Sequence, residues 1–180
     1  GFSGELSLGH AGFMSVGAFS GVVVSLSLQE AIPSGPVRLA VAMVVGAVLA
    51  GLAGFIVGVP VLRLQGDYLA IVTLAFGEII KNIITNLNIT GGALGLNTNA
   101  IYSNSKKLLP YAFVLVCLTI LVMANLKSSK QGRAIMAIRD NRIAAEATGV
   151  NVVYYKLMVF MLAAFFAGAA GVLYGYSLPV

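Results

Sequence analysis

Charge is what this sequence has least of. Asp, Glu, Lys and Arg together make up 9% of its 180 residues, against about 25% in an ordinary soluble domain. There is one cysteine, Cys117, and it lies in an apolar run, so neither an internal disulfide nor a cysteine metal site can form within the chain. There is one histidine, His10, and the six acids are scattered, so no acid/base pair or metal set converges as an intramembrane enzyme would need. No GxxxxGK[ST] stretch occurs, so the chain brings no phosphate-binding loop of its own for ATP. Aromatics interleaved with a basic groove are missing too. The net charge of +5 therefore argues membrane orientation rather than nucleic-acid binding.

What the chain has in quantity is apolar sequence: 59% hydrophobic residues and a mean hydropathy of +0.96. Its length leaves room for about five or six membrane spans of about 20 residues each. Five apolar segments can be drawn, at 8–28, 37–59, 67–87, 108–126 and 152–180. The fold class expected is an all-α, polytopic transmembrane bundle. Its first segment is so rich in glycine and serine that it could be broken or re-entrant, provided the freed backbone is buried in protein.

Between the last two segments lies the one long polar island, 127–151. It carries Lys127, Lys130, Arg133, Arg139 and Arg142, five of the 11 basic residues. Short loops rich in Lys and Arg stay in the cytoplasm. Threading back from a cytoplasmic island puts 88–107 outside, 60–66 inside, 29–36 outside and 1–7 inside. Lys106 and Lys107 breach that pattern and are outweighed by the five island charges. Within the island, 131–139 can form a helix with Ile135 and Ile138 on one face. Asp140 and Asn141 offer N-cap oxygens to a second helix over 142–148. Gly149 then stands where a left-handed C-terminal residue is expected. Two readings are open. The island is a solvated loop that only sets topology, or it is a docking element whose small Ala144, Ala145 and Ala147 let a partner come close.

The apolar segments carry packing signals. Gly17 and Gly21 in the first, Gly46, Gly54 and Gly58 in the second, and Ala164, Ala167, Gly168, Gly171 and Gly175 in the last are spaced for close helix approach. Pro60 is expected to end the second segment. In the third, Glu78 and Lys81 share a helix face, as a structural ion pair or as part of a translocation path, and Gly77 could mark a kink. His10 is open in the same way, to a packing role or to a polar contact on a solute path. Gly91, Gly92 and Gly95 give turns in the polar loop 88–107. Met158 and Met161 read as lining. Tyr154 and Tyr155 suit a membrane interface. Gly1 in place of Met, and an apolar run still going at Val180, lead to the expectation of a piece of a longer membrane protein. No basic stretch followed by a cleavage site suggests a signal peptide.

Three blocks carry a resemblance. They are GELSLGHAGFMSVGAF at 4–19, GDYLAIVTLAFGEI at 66–79 with TGGALGL at 90–96, and GRAIMAIRDNRIAAEATGV at 132–150 followed by YKLMVFMLAAFFAGAAGVLYG. In this order and spacing they resemble the permease subunit of branched-chain amino acid ABC importers, the LivM-like type, over essentially the whole chain. The resemblance implies a multi-pass permease of a bacterial or archaeal plasma (inner) membrane. It implies a second homologous permease, two ATP-binding subunits and an external solute-binding protein as partners, with the lipid bilayer around it and no nucleic acid. It also implies no enzyme activity and no cofactor in this chain, ATP being bound by the partner subunits. Residues 1–180 would be a partial permease domain, with 127–151 its cytoplasmic coupling loop. Carried over, the resemblance assigns Gly132, Arg133, Arg139, Asn141, Ala144, Ala145, Glu146 and Gly149 to ATPase coupling. Ser7, His10, Gly77 and Glu78 are the candidates for the substrate path. Related permeases for urea, short amides or another small solute are the alternative, and a passive channel stands further off.

Overall fold

The computed structural model describes residues 7–32, 34–64, 67–87 and 105–177. Seven helices run in order: α1 (His10–Ser27), α2 (Gly35–Val61), α3 (Asp67–Asn86), α4 (Ser105–Ser128), α5 (Lys130–Asp140), α6 (Arg142–Ala147) and α7 (Val152–Ser177). No strand occurs among the described residues. Five of the helices, α1, α2, α3, α4 and α7, are long and apolar enough to cross a membrane. The protein is thus an all-α transmembrane bundle. The turns expected at Gly91, Gly92 and Gly95, the TGGALGL block and residues 1–6 lie outside the described residues.

The core is a three-helix block of α1, α2 and α7. Lipid tails are as apolar as leucine, so helices in a bilayer gain little from hiding apolar surface from one another. Close packing of shape decides instead. Glycines supply it. A Cβ on Gly46 would come within 2.8 Å of the Gly17 carbonyl oxygen, and one on Gly168 within 2.8 Å of the Gly46 carbonyl oxygen. Three helix backbones therefore meet at Gly17, Gly46 and Gly168. Further along, Gly54 faces Ala164 and Gly58 faces Leu157, while Gly21 faces Val172. These pairings fix directions: α7 runs parallel to α1, and α2 runs antiparallel to both. On one side of the glycine crossing, Phe13 meets Phe160 edge to face, ring centroids 5.4 Å apart, within a cluster that includes Val57, Val61 and Leu69. On the other side Val22, Leu39, Ala42, Val172 and Tyr176 form a second cluster, which Leu108 of α4 joins.

Three expectations change in detail. Pro60 does not end α2, which continues to Val61, with the Leu62 amide donating to the Gly58 carbonyl oxygen. A proline removes one amide and crowds the carbonyl four residues back, and in a final turn this disturbs a single bond. The fourth span starts at Ser105 rather than 108, taking Lys106, Lys107 and Pro110 into its first two turns. The first segment is not broken over its helix: α1 is continuous for 18 residues.

Candidate functional site

The island forms two short helices folded against the ends of α4 and α7. Ser129 ends α4's chain direction and caps α5, its Oγ accepting from the Gly132 amide at 3.1 Å. Gly132 itself is buried against α4. A Cβ there would fall 2.8 Å from the Lys127 carbonyl oxygen and closer still to that of Leu126. The joint between α4 and α5 is therefore an interlocked elbow rather than a loose loop. Ile135 and Ile138, the apolar pair read from the spacing, are both buried.

Asn141 is the cap of α6, its Oδ1 accepting from the Ala144 amide at 3.1 Å. Asp140 closes α5 and pairs with its neighbour Arg139, Nη2 to Oδ1 at 2.9 Å. One turn on, Arg142 Nε reaches Glu146 Oε1 at 2.9 Å. Gly149 has φ +83, a left-handed backbone that suits glycine and lets the Val150 amide return to the Ala145 carbonyl oxygen at 3.1 Å. Ala145 does not face a partner. It is buried at 4% exposure with Ile138 and Val152 beneath α6. A helix of six residues must turn one side to its support, and the four-residue rhythm puts Ala145 there while Ala144, Glu146 and Ala147 stay exposed.

The eight residues expected to couple thus divide by position. Gly132, Asn141, Ala145 and Gly149 shape and seat the two helices. Arg133, Arg139, Ala144 and Glu146 lie on the exposed surface. Arg142, absent from that set, is half-buried with one guanidinium nitrogen, Nη1, buried and unpaired. Its i,i+4 spacing to Glu146 was the available signal.

The second constellation surrounds the contact between α1 and α3. A Cβ on Gly9 would meet the Thr73 carbonyl oxygen at 2.7 Å, and one on Gly12 would meet Gly77 Cα at 2.9 Å. Gly77 is therefore a contact point for α1, not a break, since α3 is unbroken around it. The structure brings Ser7 and Gly77 to this junction's two sides. Ser7 Oγ is buried without a hydrogen-bond partner, and the next amide, Leu8 N, donates to Thr73 Oγ1 at 3.1 Å. Thr73 is the residue sequence reasoning missed. It is 1% exposed and its hydroxyl donates back to the Ala70 carbonyl oxygen. A lone hydroxyl within an apolar run was its only mark. His10 is exposed, with an edge contact to Phe13 at 6.5 Å. Glu78 is exposed as well, and Lys81 Nζ lies 3.5 Å from its Oε2.

The sequence matches the family described as "Branched-chain amino acid transport system / permease component" over residues 1–180. It is 32% identical to the high-affinity branched-chain amino acid transport system permease protein LivM of Escherichia coli (strain K12), over 97% of this chain and 47% of that protein. The LivM of Salmonella typhimurium gives the same identity and coverage. A probable branched-chain amino acid transport permease protein LivM of Methanocaldococcus jannaschii is 29% identical over 82% of this chain and 46% of its own length. The chain thus spans about half the length of the curated relatives it matches. No solved structure matches it.

Proposed function

Because the chain belongs to the branched-chain amino acid transport permease family, we propose that it forms part of the membrane pathway of an ATP-driven importer for leucine, isoleucine and valine. On this reading it works in a bacterial or archaeal plasma membrane beside a second permease. Two ATP-binding subunits dock on the α5–α6 island, and an external binding protein delivers the solute. ATP is held by those partners, and this chain contributes no cofactor site and no catalysis of its own.

The observation that carries the reading is the build of the island. A solvated loop that only fixed topology would need charge, not architecture. Instead two capped helices are seated on α4 through Gly132 and on α7 through Ala145, and they present Arg133, Arg139, Ala144 and Glu146 outward. A displacement of α5–α6 is therefore passed to both flanking spans. In alternating access, a rigid element of this sort converts motion in the partners into motion around the solute site. Two alanine-rich turns and paired charges suit a protein groove: Arg139–Asp140 and Arg142–Glu146 are paired, while Lys127, Lys130 and Arg133 leave the surface basic.

The test is solute-stimulated ATP hydrolysis in the full-length reconstituted complex, with and without Arg139→Glu. Hydrolysis and leucine uptake should both fall while the complex still assembles. Unchanged hydrolysis and uptake in an assembled complex would reduce the island to a topology signal. Competition of leucine uptake by valine and isoleucine, but not by urea or acetamide, separates this solute class from the related ones.

A further inference from the structure

The outer half of α3 has a chemistry that lipid does not suit. Glu78, Lys81, Asn82, Thr85 and Asn86 follow one another at spacings of three, four, seven and eight residues from Glu78, so they line one side of the helix. All five are exposed. The side of α3 packed on the bundle is a different one, with Leu69, Ala70, Thr73 and Ile84 buried. A third side, with Ile79 and Ile83, is exposed and apolar as a lipid-facing side should be. At 1.5 Å per residue, Glu78 stands about 16 Å along a helix whose 20 residues span about 30 Å. The polar side therefore begins near mid-membrane and continues to the end of α3 farther from the α2–α3 connection.

A charge at that depth is costly unless it faces water or protein. Here two opposite charges stand there together, exposed by 61% at Glu78 and 66% at Lys81, with 3.5 Å between Nζ and Oε2. That separation is at the outer limit of a hydrogen bond, and the exposure leaves room for other groups to bind each of them. The polar side chains beyond them are partly turned to the helix itself: Thr85 Oγ1 donates to the Lys81 carbonyl oxygen at 2.7 Å, and Asn86 Nδ2 to that of Asn82 at 2.7 Å. Those bonds satisfy part of the polar side from within the helix and leave the ion pair as its exposed charged element.

We propose that this side of α3 lines the water-filled solute path, and that Glu78 and Lys81 bind the ammonium and carboxylate of a zwitterionic solute at mid-membrane. The inference rests on the transport reading above and gives it a place in the chain. A paired anion and cation match an amino acid's head group and leave its aliphatic side chain unspecified. The apolar side chain of the solute would then meet the walls of the path, as a carrier shared by leucine, isoleucine and valine requires.

The experiment uses the full-length complex in proteoliposomes, with Cys117→Ser as background. Single cysteines replace Glu78, Lys81, Asn82 and Thr85 in turn, with Ile79→Cys and Ile83→Cys as controls on the apolar side. Reaction with a membrane-impermeant thiol reagent is expected at the four polar positions and not at the two controls, and leucine should slow it at Asn82. Glu78→Gln and Lys81→Met should each raise the KM for leucine about tenfold, as expected for one lost charged hydrogen bond. Silent polar positions, or controls that react equally, would overturn the path. Labelling without leucine protection, or an unaltered KM in both variants, would overturn the head-group site. ATP-driven leucine uptake by the Cys117→Ser complex, measured in the same vesicles, reports separately on the transport reading.

Discussion

The three-helix block and the basic island obey different rules of construction within one chain. In the block, α1, α2 and α7 are joined by what is absent: at Gly17, Gly46 and Gly168 there is no Cβ, and backbones occupy the space. In the island, α5 and α6 are each finished by what is present: a Ser129 cap, an Asn141 cap and one ion pair within each helix. The difference follows from the solvent. Water competes for every polar group, so short helices there need their free amides satisfied one by one. Hydrocarbon satisfies nothing and competes for nothing, so long helices form readily and contact geometry selects the partner.

The largest effect should come from breaking the block. Gly17→Leu places a side chain where the Gly168 backbone stands, and overpacking of that severity costs about 3 kcal/mol or more. Thermal unfolding in detergent should show loss of the folded chain, whereas Ala124→Leu on an exposed side of α4 should leave the midpoint unchanged. Equal effects at the two sites would mean that glycine contact does not hold the block.

Gly132→Val probes the place where the comparison blurs, since the island leans on α4 through a glycine of the same kind. The neighbours are the Leu126 and Lys127 carbonyls, which cannot rotate away. The expected loss is about 1–3 kcal/mol, read as faster proteolysis at 127–151 with the spans still folded. Asn141→Ala tests the other rule, and removal of the cap should cost about 1 kcal/mol. Asn141→Asp should restore most of it, because aspartate accepts the Ala144 amide as well. Stimulated ATP hydrolysis is the sensitive readout for both variants.

Much of this division was legible in the sequence. Five spans, the island and its two helices follow from hydropathy, charge and capping residues, and Gly149 was placed by the left-handed turn that a helix end requires. The small-residue spacings in the first, second and last segments named the block's contact sides. What sequence could not show is which side meets which neighbour. Ala145 looked like a partner-facing alanine and is packed on Val152; Gly77 looked like the mark of a kink and is a seat for α1. Thr73 gave no periodic signal at all, since one hydroxyl among apolar residues reads the same whether it bonds its own helix or the Leu8 amide ahead of α1. For the residues expected to couple and those proposed for the path, sequence supplied their positions in the chain and the structure their exposure.

The smallest effect expected is also the sharpest check on the block's rule. Ser25 and Tyr176 are both buried, and their hydroxyls are hydrogen-bonded to each other between α1 and α7. Tyr176 sits in the cluster with Val22, Leu39 and Val172, beyond the glycine crossing. If polar bonds held the block together, removing this one should rival the loss of a glycine contact. Interhelical bonds in membranes average about 0.6 kcal/mol, however, because the separated helices find other partners for the same groups. Tyr176→Phe keeps the ring and deletes only the hydroxyl, leaving Ser25 free to turn back to a carbonyl of its own helix, as Ser15, Ser20 and Ser27 already do. The midpoint of unfolding should therefore fall by far less than in Gly17→Leu. A loss as large as the glycine's would show that one buried polar bond, not the shape of three backbones, fixes α1 against α7.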